Sequence, residues 1–392
     1  MLQKLLDHSP DLQKLVDEGY ELEIRGSFAL VHHVPYVTAS KEIDYGTLVS
    51  SLTLNGEATT KPNDHIVGFI GNMPCDRNGN EISSIVLEHR NQNWGNDIIV
   101  QHRFSNKPTG GYSDYYEKFK RYIEIISAPA IVSDNTVRVK TYRSWDTDIQ
   151  TVFKYKDTNS SKAGIGAIAE KLSKQRIAII GLGGSGSYIL DFLAKTPVEE
   201  IHLFDGDIFM QHNAFRAPGA ATKEMLSSCI MKVEYFKNIY SNMHTKIVSH
   251  PYFIDEMHLS ELIDMTFVFV SMDCTAEKQD IVAYLVENNI CFIDTGIGLT
   301  CIDEMIGGQI RTTTVVNKEN SEKQDIVQKY IPLDVDQEED VYKSNIQIAE
   351  LNALNAVMAV ISFKKQIGFY QDFRCDINSV YSINVGEIIN AD

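Results

Sequence analysis

An apolar strand that runs into a glycine-rich turn and then a helix leaves a chain few folds to adopt. Residues 176–180 are Arg-Ile-Ala-Ile-Ile, residues 181–186 are Gly-Leu-Gly-Gly-Ser-Gly, and a helical pattern follows from Ser185 to Lys195. Gly181, Gly183 and Gly186 satisfy the spacing G-x-G-x-x-G, with Gly184 between them. Glycines at those places permit a tight turn and let backbone N–H groups approach a phosphate at the helix N-terminus. Asp205 comes nineteen residues after Gly186, just past the apolar run Glu200 to Phe204. That is about where a carboxylate that binds ribose hydroxyls belongs. The turn therefore predicts a βαβ unit with a nucleotide at its mouth.

The surrounding pattern agrees. Strand-like runs at Arg176–Ile180, Glu200–Phe204, Thr266–Ser271, Cys291–Ile293 and Gln309–Val316 alternate with helical stretches at Ser185–Lys195, Lys223–Met243 and Thr275–Glu287. Alternation of this kind implies an α/β domain with a mainly parallel sheet. A long helix is expected over Asn345–Lys364, with Ile348, Leu351, Leu354, Met358 and Ile361 as an apolar stripe for a core or a subunit interface. The upstream region reads as α+β. It has a leading helix (Leu2–Glu18), strands at Glu21–Arg25, Phe28–Val34, Ile66–Ile70, Ser83–Leu87 and Ile98–His102, and a helix from Asp114 to Ile126. Further β-like runs are Val137–Tyr142 and Thr151–Tyr155. The polar stretch from Lys156 to Ser161 sets a boundary. It gives an N-terminal α+β domain over 1–155 and a nucleotide-binding domain over 156–392. Two domains suit a chain of 392 residues at roughly 150 residues each.

Charge and cysteines remove several classes. Thirty-six basic against 53 acidic residues leave a net charge of −17, whereas a nucleic-acid binder needs a surplus of Lys and Arg to neutralise phosphates. The densest acidic run, Asp334 to Asp340, reads as a solvated loop. With neither a signal peptide nor an apolar run of about 18 residues, a cytoplasmic protein is expected. The six cysteines contain no C-x-x-C pair, so neither a structural zinc nor a disulfide framework is expected. His32-His33 and His65 sit beside apolar β-like runs and read as structural.

A glycine turn alone does not choose a reaction; the polar residues beyond it do. Asn213 follows Asp205 by eight residues and Arg216 follows Asn213 by three. Lys232 sits in the next helical stretch, Asp273 ends the run Val268 to Met272, and Lys278 follows it by five. This set resembles the ubiquitin-activating-enzyme-like adenylyltransferases, the group containing ThiF, MoeB and HesA, over roughly residues 165–370. The resemblance implies a Rossmann-like adenylation domain that uses ATP and Mg²⁺. Gly181, Gly183, Gly184 and Gly186 would hold the nucleotide by backbone amides and Asp205 its ribose. Asn213, Arg216 and Lys232 would bind the triphosphate, and Asp273 would hold Mg²⁺; Arg216, Lys232 and Asp273 are the catalytic candidates. It further implies a homodimer and, as the substrate, the C-terminal carboxylate of a ubiquitin-like or sulfur-carrier protein. In this family an arginine before the first strand often acts across the dimer; here Lys162 is the candidate substitute. The layout, with an α+β module in front, is similar to that of bacterial proteins encoded near ubiquitin-like proteins and conjugation factors. It suggests that the first domain binds a partner, such as a conjugating-enzyme-like protein.

Ubiquitin-activating enzymes keep a catalytic cysteine in the crossover segment, and Thr312 to Ser344 contains none. Adenylation without an obligatory enzyme thioester is therefore expected. Cys301 and Cys229 remain as acceptor thiols to be tested, as does Cys75, read as an exposed thiol beside the turn at Asp76–Asn80; Cys274 reads as a core position. Three alternatives stand beside this reading: a tRNA base or short peptide as acceptor, a non-catalytic scaffold that binds ubiquitin-like proteins, and an NAD-dependent dehydrogenase. The acidic charge counts against tRNA, and the dehydrogenase leaves Asn213, Arg216, Lys232 and Asp273 unexplained.

Overall fold

The structure, a computed structural model, describes residues 5–6, 8–143, 151–155, 157–163, 165–316, 319–333 and 346–391. The chain divides into two compact units, residues 1–150 with 154–166, and residues 151–153 with 167–392.

The first unit is built on strands β1 (Glu21–Arg25), β2 (Phe28–Val37), β3 (Ile43–Ser51), β6 (Ile66–Ile70), β7 (Val86–Gly95) and β8 (Ile98–Ser105), with β4 (Leu54–Asn55) and β5 (Ala58–Thr59) as a small separate hairpin. The main sheet is antiparallel in the order β1-β2-β3-β6-β8-β7. Helix α1 (Pro10–Asp17) precedes it, and helix α2 (Tyr115–Ser133) packs over β2 and β3. The helical spacing of Phe119, Tyr122, Ile123 and Ile126 places all four in one core with Val31, Phe69 and Phe104. Two expectations are corrected. Residues 137–142 form no strand, and the N–H groups of Thr141 and Tyr142 both donate to the carbonyl of Gly19 instead. Residues 151–155 contribute only an isolated bridge, Phe153 to His244. Strand β3, whose polar and apolar residues alternate weakly, escaped the sequence pattern.

The second unit is a single eight-stranded sheet in the order β11-β10-β9-β12-β13-β14-β15-β16. Its strands are β9 (Arg176–Ile180), β10 (Glu200–Phe204), β11 (Ile247–His250), β12 (Phe267–Val270), β13 (Cys291–Ile302), β14 (Met305–Val315), β15 (Asn378–Ser382) and β16 (Glu387–Ala391). Strands β9 to β13 pair in parallel and the last three join antiparallel. The central strands β9 and β12 are buried on both faces, which explains their nearly unbroken apolar runs. Ile177, Ile179, Phe267 and Phe269 enter one core; Ala178, Ile180, Val268 and Val270 enter the other. Helices α3 (Gly184–Leu193), α4 (Lys232–Tyr240) and α5 (Ala276–Glu287) link the parallel strands, and helix α6 (Ala349–Gln366) packs against α3. The stripe assigned to α6 is not its core face. Asn352, Asn355, Ala356, Ala359, Val360 and Phe363 are buried, while Leu351, Leu354 and Met358 are half-buried and Ile361 is exposed. The order of the first five strands reverses between β9 and β12, and a sheet of this kind binds ligands at the carboxyl ends of its strands at such a reversal.

Candidate functional site

At that point of the sheet β9 ends and the chain turns at Gly181 with φ of +86°, a conformation only glycine adopts without strain. Close packing adds a second demand. A Cβ on Gly181 would lie 2.3 Å from the carbonyl oxygen of Ser271, and one on Gly186 would lie 1.9 Å from that of Gly181. Helix α3 begins at Gly184 with no side-chain cap, so its first N–H groups are available to an anion. Gly181, Gly183, Gly184 and Ser185 line a cavity of about 800 Å³. Gly186 does not line it; its place is the contact of α3 with the turn.

Asp205, at the end of β10, also lines this cavity and is nearly fully buried. Its carboxylate braces the glycine turn. Oδ2 accepts from the N–H of Leu182 at 2.7 Å and Oδ1 from the N–H of Asp207 at 2.9 Å. Lys232, at the first turn of α4, lies 2.6 Å from Asp207 Oδ2 and 3.4 Å from Asp205 Oδ2. Arg216 and Asp273 complete this rim. Burial holds the Arg216 guanidinium below its ordinary pKa, and the charges of Asp273 and Asp207 oppose that shift. Asp273 follows β12 and is exposed. Asn213, like Gly186, is a member of the set that does not line the cavity. It is buried, and its Oδ1 accepts from the N–H of Met210 at 2.8 Å. Its side chain shapes the turn that carries Arg216, whose N–H donates to the carbonyl of Asn213.

Tyr252, Phe253, Ile254, Asp255 and His258 line the cavity as well. The exposed Phe253 ring lies over Gly206, where a Cβ would come within 2.7 Å of it. Lys278 and Arg311, which line the cavity too, belong to a buried ion cluster. Asp294 on β13 is fully buried between Lys278 Nζ at 2.7 Å and the Arg311 guanidinium at 2.5 Å. Asn352 and Asn355 of α6 line the same cavity, with Asn355 donating to the carbonyl of Gly296 at 3.2 Å. A second groove, of about 680 Å³, shares Gly296, Ile297, Arg311 and Pro332 with the first and continues along Gly298, Thr300, Gly308 and Val380.

Phe253, Asp294, Arg311, Asn352 and Asn355 were not found from the sequence. Asp294 had a usable signal, since it ends the apolar run Cys291 to Ile293 as Asp205 and Asp273 end theirs. Asn352 and Asn355 are polar residues three apart inside an apolar helix, a spacing that marks one face. Arg311 and Phe253 carried no local signal.

Cys75, expected to be exposed, is buried. Its thiol donates to the carbonyl of Met73, and burial pushes its pKa up, the opposite of what a reactive thiol needs. Cys274, expected in the core, lines the cavity. Cys229 and Cys301 are exposed. The Lys162 side chain and the acidic run Asp334–Asp340 lie outside the described residues. Among the described residues, His32 is hydrogen-bonded to Glu23 and Thr47, no group of three or more His, Cys, Asp or Glu is placed to hold a metal, and no helix is long and apolar enough to cross a membrane.

Comparison with known proteins matches residues 157–373 to the ThiF family and residues 10–158 to a domain of unknown function, DUF6791. Among solved structures, Escherichia coli MccB with ATP is 16% identical with a TM-score of 0.43, over 60% of this chain and 69% of that one. E. coli MccB with AMPCPP and selenomethionine MccA gives 16% and 0.44 over the same shares. Selenomethionine PaaA gives 19% and 0.42, over 58% of this chain and 75% of that one. No curated protein matches.

Proposed function

The chain belongs to the ThiF family, and from that premise we propose that its second unit is an ATP-dependent adenylyltransferase that activates the C-terminal carboxylate of a ubiquitin-like or sulfur-carrier protein. One observation carries the reading: the glycine turn, Arg216, Lys232 and Asp273 line a single cavity that shares four lining residues with a second, glycine-lined groove. The cavity suits a nucleoside triphosphate and the groove an extended tail.

In this reading the α3 N-terminus and Arg216 take the phosphates, where charge-assisted bonds to a planar guanidinium are strong. Lys232 joins them by exchanging Asp207 for phosphate oxygen, and Asp205 offers its remaining acceptor capacity to the ribose. Phe253 gives the base a face to stack on. Asp273 fits Mg²⁺, because such an ion is commonly held by one or two carboxylates plus substrate phosphates; when bound, the ion neutralises charge on the leaving pyrophosphate. An oxygen of the acceptor carboxylate forms a bond to the α-phosphorus. The bond from that phosphorus to the bridging oxygen breaks, and its electron pair leaves with pyrophosphate. No protein nucleophile takes part, so the residues act by positioning and electrostatic stabilisation.

Exposed apolar residues at the β13–β14 hairpin and on β16, namely Ile302, Met305, Ile306, Ile388 and Ile389, favour a folded carrier over a short peptide, because exposed apolar patches mark protein contacts. The half-buried side of α6 at Leu351, Leu354 and Met358, with the exposed Ile361, supports a homodimer interface, and the first unit is proposed to bind a partner. Pyrophosphate release that depends on a candidate carrier tests the reaction. Release with a free peptide or tRNA and not with any carrier protein would reject the carrier, and no release with any acceptor would favour a scaffold. A non-reducing gel tests the thiol: a thiol-sensitive carrier adduct lost with Cys301→Ala or Cys229→Ala would contradict adenylation without a thioester.

A further inference from the structure

We propose that Arg311, braced by Asp294 and Lys278, is the residue that binds the acceptor carboxylate and presents it to the α-phosphorus. The inference rests on the adenylation reading above and names the residue that would make it carboxylate-specific.

Position is the first ground. The cavity and the groove share four lining residues, and Arg311 is the one charged side chain among them. A tail lying in the groove would end where the nucleotide begins, and Arg311 stands at that junction. Charge is the second ground. Asp294, Lys278 and Arg311 form a cluster of one carboxylate and two cations, with side-chain exposures of 0%, 4% and 16%. One positive charge is left over in a poorly solvated place, which is costly unless an anion comes to it.

Geometry is the third ground. A guanidinium has five N–H donors. One terminal nitrogen engages Asp294 and the other Thr313, which fixes the plane and leaves donors for a carboxylate. Across the β13–β14 ladder Arg311 pairs with Gly296. A Cβ at Gly296 would lie 2.8 Å from the guanidinium, so glycine leaves that face uncovered. Ion pairing at one acceptor oxygen would offset repulsion by the triphosphate and leave the other oxygen to form the bond to phosphorus as pyrophosphate departs.

The test uses the full chain and two synthetic probes. Adenosine 5′-sulfamate carries the nucleoside with a sulfamoyl group in the place of the α-phosphate, and no acyl group. Its N-glycylglycyl derivative, an acyl-adenylate analogue, adds an acyl group at the junction. The wild type is expected to bind the acyl probe at least tenfold more tightly. Arg311→Gln and Gly296→Ala bring the ratio close to one, and Arg311→Lys, which keeps the charge and loses the fork, falls between. All three keep the rise in Tm given by ATP–Mg²⁺. A wild-type ratio near one, or a ratio unchanged in the variants, overturns the proposal. Should Arg311→Gln not fold, Gly296→Ala decides, because the three atoms nearest its methyl all belong to the Arg311 guanidinium group. Failure of ATP to bind the wild type is a different result and rejects the adenylation reading itself.

Discussion

At the scale of single residues, the site separates groups that hold the fold from groups aimed at ligand. Asp205 is of both kinds. Asp205→Ala removes acceptors from two backbone N–H groups, one of them in the glycine turn, and is expected to cost about 1–3 kcal/mol of stability together with nucleotide affinity. Thermal unfolding with and without ATP measures both. Asp273 is exposed, so Asp273→Ala is expected to change stability by no more than about 0.5 kcal/mol while abolishing pyrophosphate release. Retained release would remove Asp273 from the Mg²⁺ site. A buried histidine gives the unit a pH dependence. His244 is fully buried, its Nε2 within 3.0 Å of the Val198 carbonyl and its Nδ1 accepting the Lys246 N–H, and burial holds its pKa below 6.5. Below that value the unfolded chain binds the proton and the folded one does not, so stability falls as pH drops. The slope of Tm between pH 7 and pH 5 should flatten in His244→Gln, and an unchanged slope would contradict this. Asp205 was legible from its place just after an apolar strand, whereas Arg216 and Asp273 were singled out through the resemblance that their spacing carries. Arg311 was not, since its meaning lies in a cross-strand pairing with Gly296 and in Asp294 and Lys278, which sequence does not juxtapose.

At the scale of elements, strongly periodic segments were legible. The β9–α3 turn, the apolar strands β10 and β12, and the buried face of α2 all follow from spacing. Local pattern misleads where tertiary contact overrides it. Residues 137–142 have strand-like composition, yet the N–H groups of Thr141 and Tyr142 converge on the single carbonyl of Gly19 and form no ladder. Helix α6 carries two apolar faces, and the one holding Asn352 and Asn355 is buried because those amides meet the cavity and the Gly296 carbonyl. The groove belongs to this scale as well. A Cβ at Gly298 meets nothing within 4 Å, so Gly298→Leu should fold and narrow the groove. It is expected to retain ATP binding and to lose at least tenfold in kcat/KM for a carrier. Equal loss with ATP alone would mean that the groove is not the tail's path.

At the scale of the molecule, a net charge of −17 coexists with Arg216, Lys232, Lys278 and Arg311 around one cavity, so the acidic balance describes the surface and not the site. The half-buried apolar side of α6, with the exposed Ile361, predicts a dimeric mass in light scattering, reduced to a monomer by Leu354→Glu with Ile361→Glu. The most direct check of the central claim is the Tm of the whole protein with ATP–Mg²⁺ and with NAD at equal concentration. A ligand at a hundred times its Kd stabilises by about 2.7 kcal/mol. The adenylation account predicts a rise of that order with ATP–Mg²⁺ and little with NAD. A larger rise with NAD would contradict it.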